Sequence, residues 1–546
     1  MTNRNKGKML IASLLSIALL AGCSSSNGNS GAQTSPAAGG ASPQASEAPA
    51  PEGLNKTGLP IVNEPIKLTM MGAEDLQRNW ADLYFFKGME ADTNIQFDYT
   101  TLSGSAYQER KNLAFASNEL PDLFFNGAFT ANDEVNYGAQ GMLIPLEQLI
   151  EDYAPTLSKL LQDNPDIRKS ITAPDGHIYA LPQIADHPRD RFWRLFVNGE
   201  WLKNLNIDKL PTSVDEFYEL LVAFRDKDPN RNGKADEIPL TGDNQLNYLR
   251  PIMLSYFGHV TDFVEVSDDK ARFVPVQQGY GQYLAFMNKL YAEKLLDQEI
   301  FSQNKAQMTA KGEQELYGVM GNSLPIFGGK EKQVVPNSIL DNSQMPPLVS
   351  EPGATPVFPE RDTIRRGTFA ITSANKHPEA TIRWLDYLYS EEGYKLAQYG
   401  IEGESYRWSD TEPKYIEYIV PEGMLENDFK NMKVSNLGYG FANEEIEKKF
   451  LKSDWLGFVL NAQVDPYIEY GKKPFPLTYF TEEELQRVNA ITVDLRTFIE
   501  QMEAKIVVGQ EPVSKWDDYV QTMNKMGVEE LVSIYQASYD RWKNAE

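Results

Sequence analysis

Three apolar runs, Ile66-Lys-Leu-Thr-Met-Met71, Ile95-Gln-Phe-Asp-Tyr99 and Asp122-Leu-Phe-Phe125, alternate with two helical stretches over 78–92 and 105–117. The first run reads as a strand. Between the first two runs, Trp80, Leu83, Tyr84 and Met89 recur at helical spacing, which predicts an amphipathic helix. Ile95–Tyr99 alternates apolar and polar, as a half-buried strand does. Strand–helix–strand–helix–strand order predicts an α/β fold with parallel strands. In such sheets ligands bind outside the carboxyl ends of the strands. The loops after Met71, Tyr99 and Phe125 are therefore expected to share one rim.

A second α/β block begins near Arg194-Leu-Phe-Val197. Its helix over 213–226 opens on Ser213, with Glu216 three residues on, a capping-box spacing. Thr368-Phe-Ala-Ile371 reads as a strand, and the helix after it has Pro378 in its first turn and Trp384, Leu385 and Leu388 on one face. The C-terminal part is helical. Thr481 and Glu484 form a second capping-box spacing, and Leu485, Val488, Ile491, Leu495, Phe498 and Met502 make an apolar stripe that belongs in a core.

At the other end, residues 1–8 carry Arg4, Lys6 and Lys8 and no acid, and an apolar run over 9–20 follows. Those features, closed by small residues, are the anatomy of an export signal. The run is shorter than the ~20 residues a spanning helix needs. Leu20-Ala21-Gly22-Cys23 resembles the lipobox of bacterial lipoproteins. The resemblance implies cleavage after residue 22 and a diacylglycerol on the Cys23 thiol, with stable anchoring by several acyl chains. Residues 23–59 are rich in Ser, Gly, Ala and Pro and are expected to be a disordered tether reaching ~30–36 Å. The resemblance implies a lipid-anchored protein on the extracellular face of the cytoplasmic membrane of a Gram-positive bacterium.

The chain has 546 residues and a net charge of −25. That charge argues against nucleic acid, which demands a basic face, and against docking on anionic lipid through a polybasic surface. Cys23 is the single cysteine, so the body has no disulfide framework and no thiol nucleophile. None of the four histidines falls in a zinc-hydrolase spacing, and no nucleophile elbow, Walker loop or dinucleotide fingerprint occurs. A glycosidase needs only two carboxylates, so a surface-anchored glycoside-active enzyme remains an alternative, as does a non-transport glycan-binding lipoprotein.

Residues 226–239, Asp-Lys-Asp-Pro-Asn-Arg-Asn-Gly-Lys-Ala-Asp-Glu-Ile-Pro, carry one sharp motif. Oxygen side chains at Asp228, Asn230 and Asn232 fall two residues apart, Gly233 permits a tight turn, and the Lys234 carbonyl follows. This is the first half of an EF-hand loop. Pro239 occupies the position of its usual closing Glu, so Asp236 and Glu237 are expected to complete the shell around a structural Ca²⁺. The competing reading is a solvated acidic turn.

Several segments together resemble extracellular solute-binding proteins of family 1, the oligosaccharide-binding lipoproteins of ABC importers. They are Asn118-Glu-Leu-Pro-Asp-Leu123 (departing at Asn118-Glu119 from the family's Gly-Asp), Gly141–Leu146, Asp175–Pro182, Met287–Glu293, Tyr399–Gly403 and Tyr539–Trp542. The calcium-like loop resembles that of the longer members, which bind alginate and plant-glycan oligosaccharides. The resemblance implies a two-lobed periplasmic-binding-protein-like fold of type II, with a hinge and a helical C-terminal part. One lobe would hold 60–190 and 365–410, the other 191–364 and 411–546. It implies a monomer that captures sugar between the lobes and delivers it to permease subunits, without catalysis.

Sugar rings present apolar C–H faces, so aromatic platforms with polar neighbours are the expected partners. Position on rims, loops and crossings nominates Trp80, Asn126, Phe129, Arg191, Trp193, Tyr256, Arg365, Tyr406 and Trp408, with core burial the stronger reading for Tyr256. Arg189, Arg191, Arg194, Arg361, Arg365 and Arg366 gather near the two crossings. Either they pair with the many acids, or they make the cleft locally basic for a uronate-bearing sugar.

Overall fold

Ile66–Ala73 pairs in parallel with Ile95–Leu102, Ile66 opposite Ile95, and on its other side with Leu123–Phe125, Met70 opposite Leu123. The computed structural model describes residues 51–546 except 77, 243–245, 322–326, 328–343, 435–438, 454–463 and 546. The signal, Cys23 and the tether up to residue 50 lie outside the described residues. Ile364–Ile371 joins the sheet antiparallel to Leu123–Phe125, followed by Leu181–Asp186 and, at the edge, Phe441–Asn443. Period-two alternation divides these strands between two cores. Leu68, Met70, Leu123 and Phe125 enter one, and Met71 and Phe124 enter the other. Both faces are covered, as expected of a sheet whose strands are joined by helices.

The second sheet has three strands, Leu195–Val197, Tyr317–Gly321 and Ile238–Gly242, the last two parallel. A separate large core surrounds it, built from Val214–Asp226, Leu249–Ser255, Gln278–Ala292 and the long helix Glu482–Val507. Val488, Ile491, Leu495 and Met502 of that helix are buried, with Leu485 and Phe498 half-buried beside them. Its Thr481–Glu484 capping box forms in both directions. The one at Ser213 does not close. Ser213 accepts from Glu216 N, but the Glu216 carboxylate accepts from Thr212 N and the Thr212 hydroxyl, one residue upstream.

The chain leaves the first sheet at Asp186 and enters the second at Leu195. It returns through Phe358-Pro359 to Ile364. These crossings are stitched together by a Phe192–Glu360 bridge, by Arg361 N donating to Arg191 O at 2.6 Å, and by Phe358-Pro359 pairing with Gly471-Lys472.

Three sequence-based boundaries move. The tether ends before residue 59, because Leu54 bridges to Val62 and packs on a core that fully buries Ile61. The first lobe extends past 410: Phe441–Asn443 is its edge strand, and Tyr394, Tyr399, Tyr406, Ile416 and Phe450 share one cluster. The helix expected over 78–92 is a short 3-10 turn, Trp80–Asp82, followed by Tyr84–Thr93.

Candidate functional site: the rims beside the crossings

Both crossings join carboxyl-end rims. Asp186 ends a strand and Ile364 begins its antiparallel neighbour, so the rim of the first sheet adjoins the hinge. Leu195 lies opposite Gly321, and Gly242 ends the parallel strand beside it, so the second rim adjoins the hinge too. The rule that placed ligands at strand ends therefore points both lobes at one interlobe space.

On the second rim, Trp193 is half-buried. Its indole meets Tyr248 edge-to-face, with centroids 4.5 Å apart, and the Arg361 guanidinium lies 4.4 Å over the ring. On the first rim, exposed Arg365 hydrogen-bonds the Asn126 side-chain oxygen. Asn126 adopts φ 54, a left-handed conformation, and its amide donates to Ala73 O at 2.9 Å. Arg361 and Arg365 are four residues apart, so the two groups lie within about 14 Å of chain. Sequence reading missed Tyr248; the signal was an aromatic residue just beyond the carboxyl end of Ile238–Gly242.

Trp80, Phe129 and Tyr406 are corrected and Tyr256 follows its core reading: each of the four has its ring inside a core and cannot serve as an open platform here. Trp80 is fully buried, stacked on Phe86 at 5.0 Å, and its indole N–H donates to Glu74 at 2.7 Å. Phe129 is walled in by Phe115 and Phe124, with the Lys111 ammonium over its ring. Tyr256 sits against Phe217 in the second lobe's core, and burial holds its hydroxyl pKa well above the ordinary value. Tyr406 is buried against Tyr399. Half-buried Trp408 packs near Phe450 on the hairpin Tyr406–Trp408 and Ile416–Tyr418, a different place from Trp193.

The arginine cluster divides. Arg189 forms a fork with Glu447 at 2.8 and 3.0 Å, and Arg191 binds Glu360 at 2.6 and 3.0 Å. Arg366 lies over the Tyr479 ring at 4.1 Å and donates to the carbonyls of Ser170, Leu477 and Thr478. Each of the three is held by partners within the protein. A cavity of about 710 Å³ lies between the lobes beside the hinge, lined by Arg191, Asp186, Phe441, Lys473 and Trp542 among others.

In the acidic loop, Gly233 N donates to Asp228, Lys234 N to the Asn232 side-chain oxygen at 2.7 Å, and the Asn232 amide to Asp236 at 2.9 Å. Gly233 takes φ 75, which only a residue without Cβ adopts freely. One oxygen of Glu237 is buried without a partner. Burial first, then Asp236 and Asp228, hold that carboxyl above its ordinary pKa. An orphaned carboxylate oxygen beside two more carboxylates fits a hard cation. Among the described residues, no three His, Cys, Asp or Glu side chains alone make a metal site; the donor set here depends on Asn and a main-chain carbonyl as well.

Two α/β lobes hinged beside facing rims are the periplasmic-binding-protein-like fold. The chain belongs to the bacterial extracellular solute-binding proteins, whose family model matches residues 73–395. It is 26% identical to the fructooligosaccharide ABC transporter substrate-binding protein FusA of Streptococcus pneumoniae, over 83% of this chain and 86% of that one. The kestose complex of FusA superposes with a TM-score of 0.70 at 25% identity, covering 88% of this chain and 99% of that one. The polygalacturonan/rhamnogalacturonan-binding protein YtcQ of Bacillus subtilis is 24% identical, over 84% and 88% of the two chains. The alginate-binding protein AlgQ2, solved without calcium ion, shares the fold with a TM-score of 0.65 at 22% identity, covering 88% and 99%. Among the described residues, no helix is long and apolar enough to cross a membrane.

Proposed function

We propose that this chain is the oligosaccharide-capturing component of an ABC importer, held at the outer face of the membrane by lipid on Cys23. One observation carries the reading. Half-buried Asn126 with exposed Arg365, and the half-buried aromatic group Trp193–Tyr248, sit on opposite rims of one hinge. Ring faces take the apolar face of a sugar, and amide and guanidinium groups fix its hydroxyls. The names of the relatives, spanning neutral and acidic glycans, support an oligosaccharide as ligand. Sugar that touches both rims binds the closed state better than the open one, and closure is then the signal a permease reads. A ligand that turns a mostly open population mostly closed must favour closure by about 5.5 kcal/mol. The chain works as a monomer and performs no bond-breaking step.

The acidic loop is proposed to hold a structural Ca²⁺ through Asp228, Asn230, Asn232, the Lys234 carbonyl, Asp236 and Glu237. The ion would neutralise carboxylates that now face one another.

The test is a thermal-shift and calorimetric screen of the mature protein against an oligosaccharide panel, with reducing ends followed in parallel. Saturable binding with no new reducing ends is expected. Accumulating reducing ends would replace this reading with a glycoside hydrolase.

A further inference from the structure

A second cavity, also of about 710 Å³, lies off the rims. It separates the first lobe's helix Pro165–Ile171 and the loop after it from the last helix, Val528–Asn544. Pro174, Ile178, Tyr479 and Trp542 give it apolar walls. Consecutive Arg365 and Arg366 turn to opposite sides of their strand. Arg365 reaches Asn126 on the rim, while Arg366 lies on the Tyr479 ring that lines this cavity. Among the described residues, none of those nominated for the sugar lines it.

Two cations stand on its wall without partners. The chain carries 77 acidic against 52 basic residues, so acids are in supply. Yet Arg168 and Lys169, adjacent and half-buried, make no side-chain hydrogen bond or ion pair among the described residues. They differ from Arg194, whose Nε and Nη1 also lack partners but are sealed from solvent. The acids on the same wall are engaged elsewhere. Glu147 accepts from Ile178 N at 3.2 Å and meets His177 Nδ1 at 2.6 Å, and Asp540 accepts from the Gln536 amide at 2.8 Å. The third cation on the wall, Arg541, is paired with Glu484 at 2.9 Å. A helix of seven residues supplies only a weak end field to hold two more cations there. A mostly apolar hollow with a few polar groups at one edge has the form of a small-molecule site, which spans roughly 300–1,000 Å³. Unpaired cations at that edge select a negative head group. We propose that this cavity is a second ligand site, for a small organic anion whose apolar body packs on Tyr479 and Trp542 and whose carboxylate, sulfate or phosphate head meets Arg168 and Lys169. One wall belongs to the first lobe and the other to a helix whose Val528 and Leu531 sit in the second lobe's core. The occupant therefore joins the two lobes away from the sugar.

The probes are phenyl phosphate, phenyl sulfate and benzoate, with phenol and benzyl alcohol as neutral counterparts. Each is titrated calorimetrically into the mature lipoprotein in a neutral detergent, and the heats of titration into micelles alone are subtracted. At least one anion should bind saturably at a single site, at least about tenfold tighter than its neutral counterpart. That binding should survive Trp193→Ala, which alters the sugar rim, and disappear in the double variant Arg168→Gln with Lys169→Gln. No saturable binding of any of the three anions overturns the proposal, as does equal binding of the neutral compounds. Binding retained by the double variant, or lost with Trp193→Ala, places the anion elsewhere and overturns it too. If the double variant does not fold, the two single variants decide: affinity unchanged in both overturns the proposal. Each of these outcomes leaves the oligosaccharide reading standing, because the rim residues are untouched by the Arg168 and Lys169 substitutions.

Discussion

Glu134 offers the sharpest quantitative test of how the two lobes are pinned together. Tyr479 comes from the segment leading into the long C-terminal helix, yet its ring is buried in the first lobe's second core beside Phe124 and Ala370. There its hydroxyl meets the Glu134 carboxyl and lies 3.1 Å from the Ile171 carbonyl, with Arg366 stacked on the ring. Glu134 is fully buried, and its other oxygen has no partner. Burial raises its pKa from 4.5 to about 7, and Arg366 and Tyr479 only partly oppose the shift. Folding therefore favours the protonated acid. Its contribution to stability is complete below about pH 4.5 and is lost as pH rises through about 7, worth roughly 3 kcal/mol in all. Glu134→Gln mimics the neutral acid at every pH. The variant should match the wild type near pH 4.5 and exceed it by roughly 3 kcal/mol at pH 8. Denaturant unfolding of both proteins at pH 5, 6, 7 and 8 reads the difference directly, and other titrating groups cancel. A difference that stays constant with pH, or a variant less stable at pH 8, refutes the reasoning.

The remaining predictions concern the ion, the sugar and the anchor. Calcium at 100 times its dissociation constant should stabilise the protein by about 2.7 kcal/mol; chelation should lower the melting temperature, and Asp228→Ala should remove that response. Insensitivity of the wild type to chelator and added calcium would refute the ion. Trp193→Ala removes the ring on the second rim and should weaken the captured oligosaccharide at least about tenfold by calorimetry, while Trp408→Ala, at a ring packed near Phe450 on the separate hairpin Tyr406–Trp408 and Ile416–Tyr418, should leave affinity unchanged. Cys23→Ser should shift the protein from the membrane fraction to the medium and abolish palmitate labelling. Retention at the membrane would show a different anchor.

The fold was largely legible in the sequence because its signals are local. Ile95–Tyr99 alternates as a strand between the short apolar runs Ile66–Met71 and Asp122–Phe125, and Thr481 with Glu484 starts a helix through hydrogen bonds three residues long. The turn of the acidic loop was legible for the same reason: Asp228, Asn232, Gly233 and Asp236 hydrogen-bond one another within a few positions of the chain. The rim aromatics were not. Trp80 and Trp193 both sit beside a strand end, and nothing in their neighbours along the chain separates them. The structure separates them through Phe86, Phe125 and Glu74 around one, and Tyr248 and Arg361 around the other.

By itself, then, the sequence determined the alternating α/β architecture and the turn of the acidic loop, both of which depend on residues within a few positions of one another. Only the tertiary structure decided the lobe boundary at Phe441–Asn443, the return of Tyr479 into the first lobe, and the division of six arginines into paired, stacked and orphaned. A charge is satisfied or stranded by groups that arrive from distant parts of the chain, such as Glu447 at Arg189. That outcome is set by packing in space and leaves no pattern along the chain.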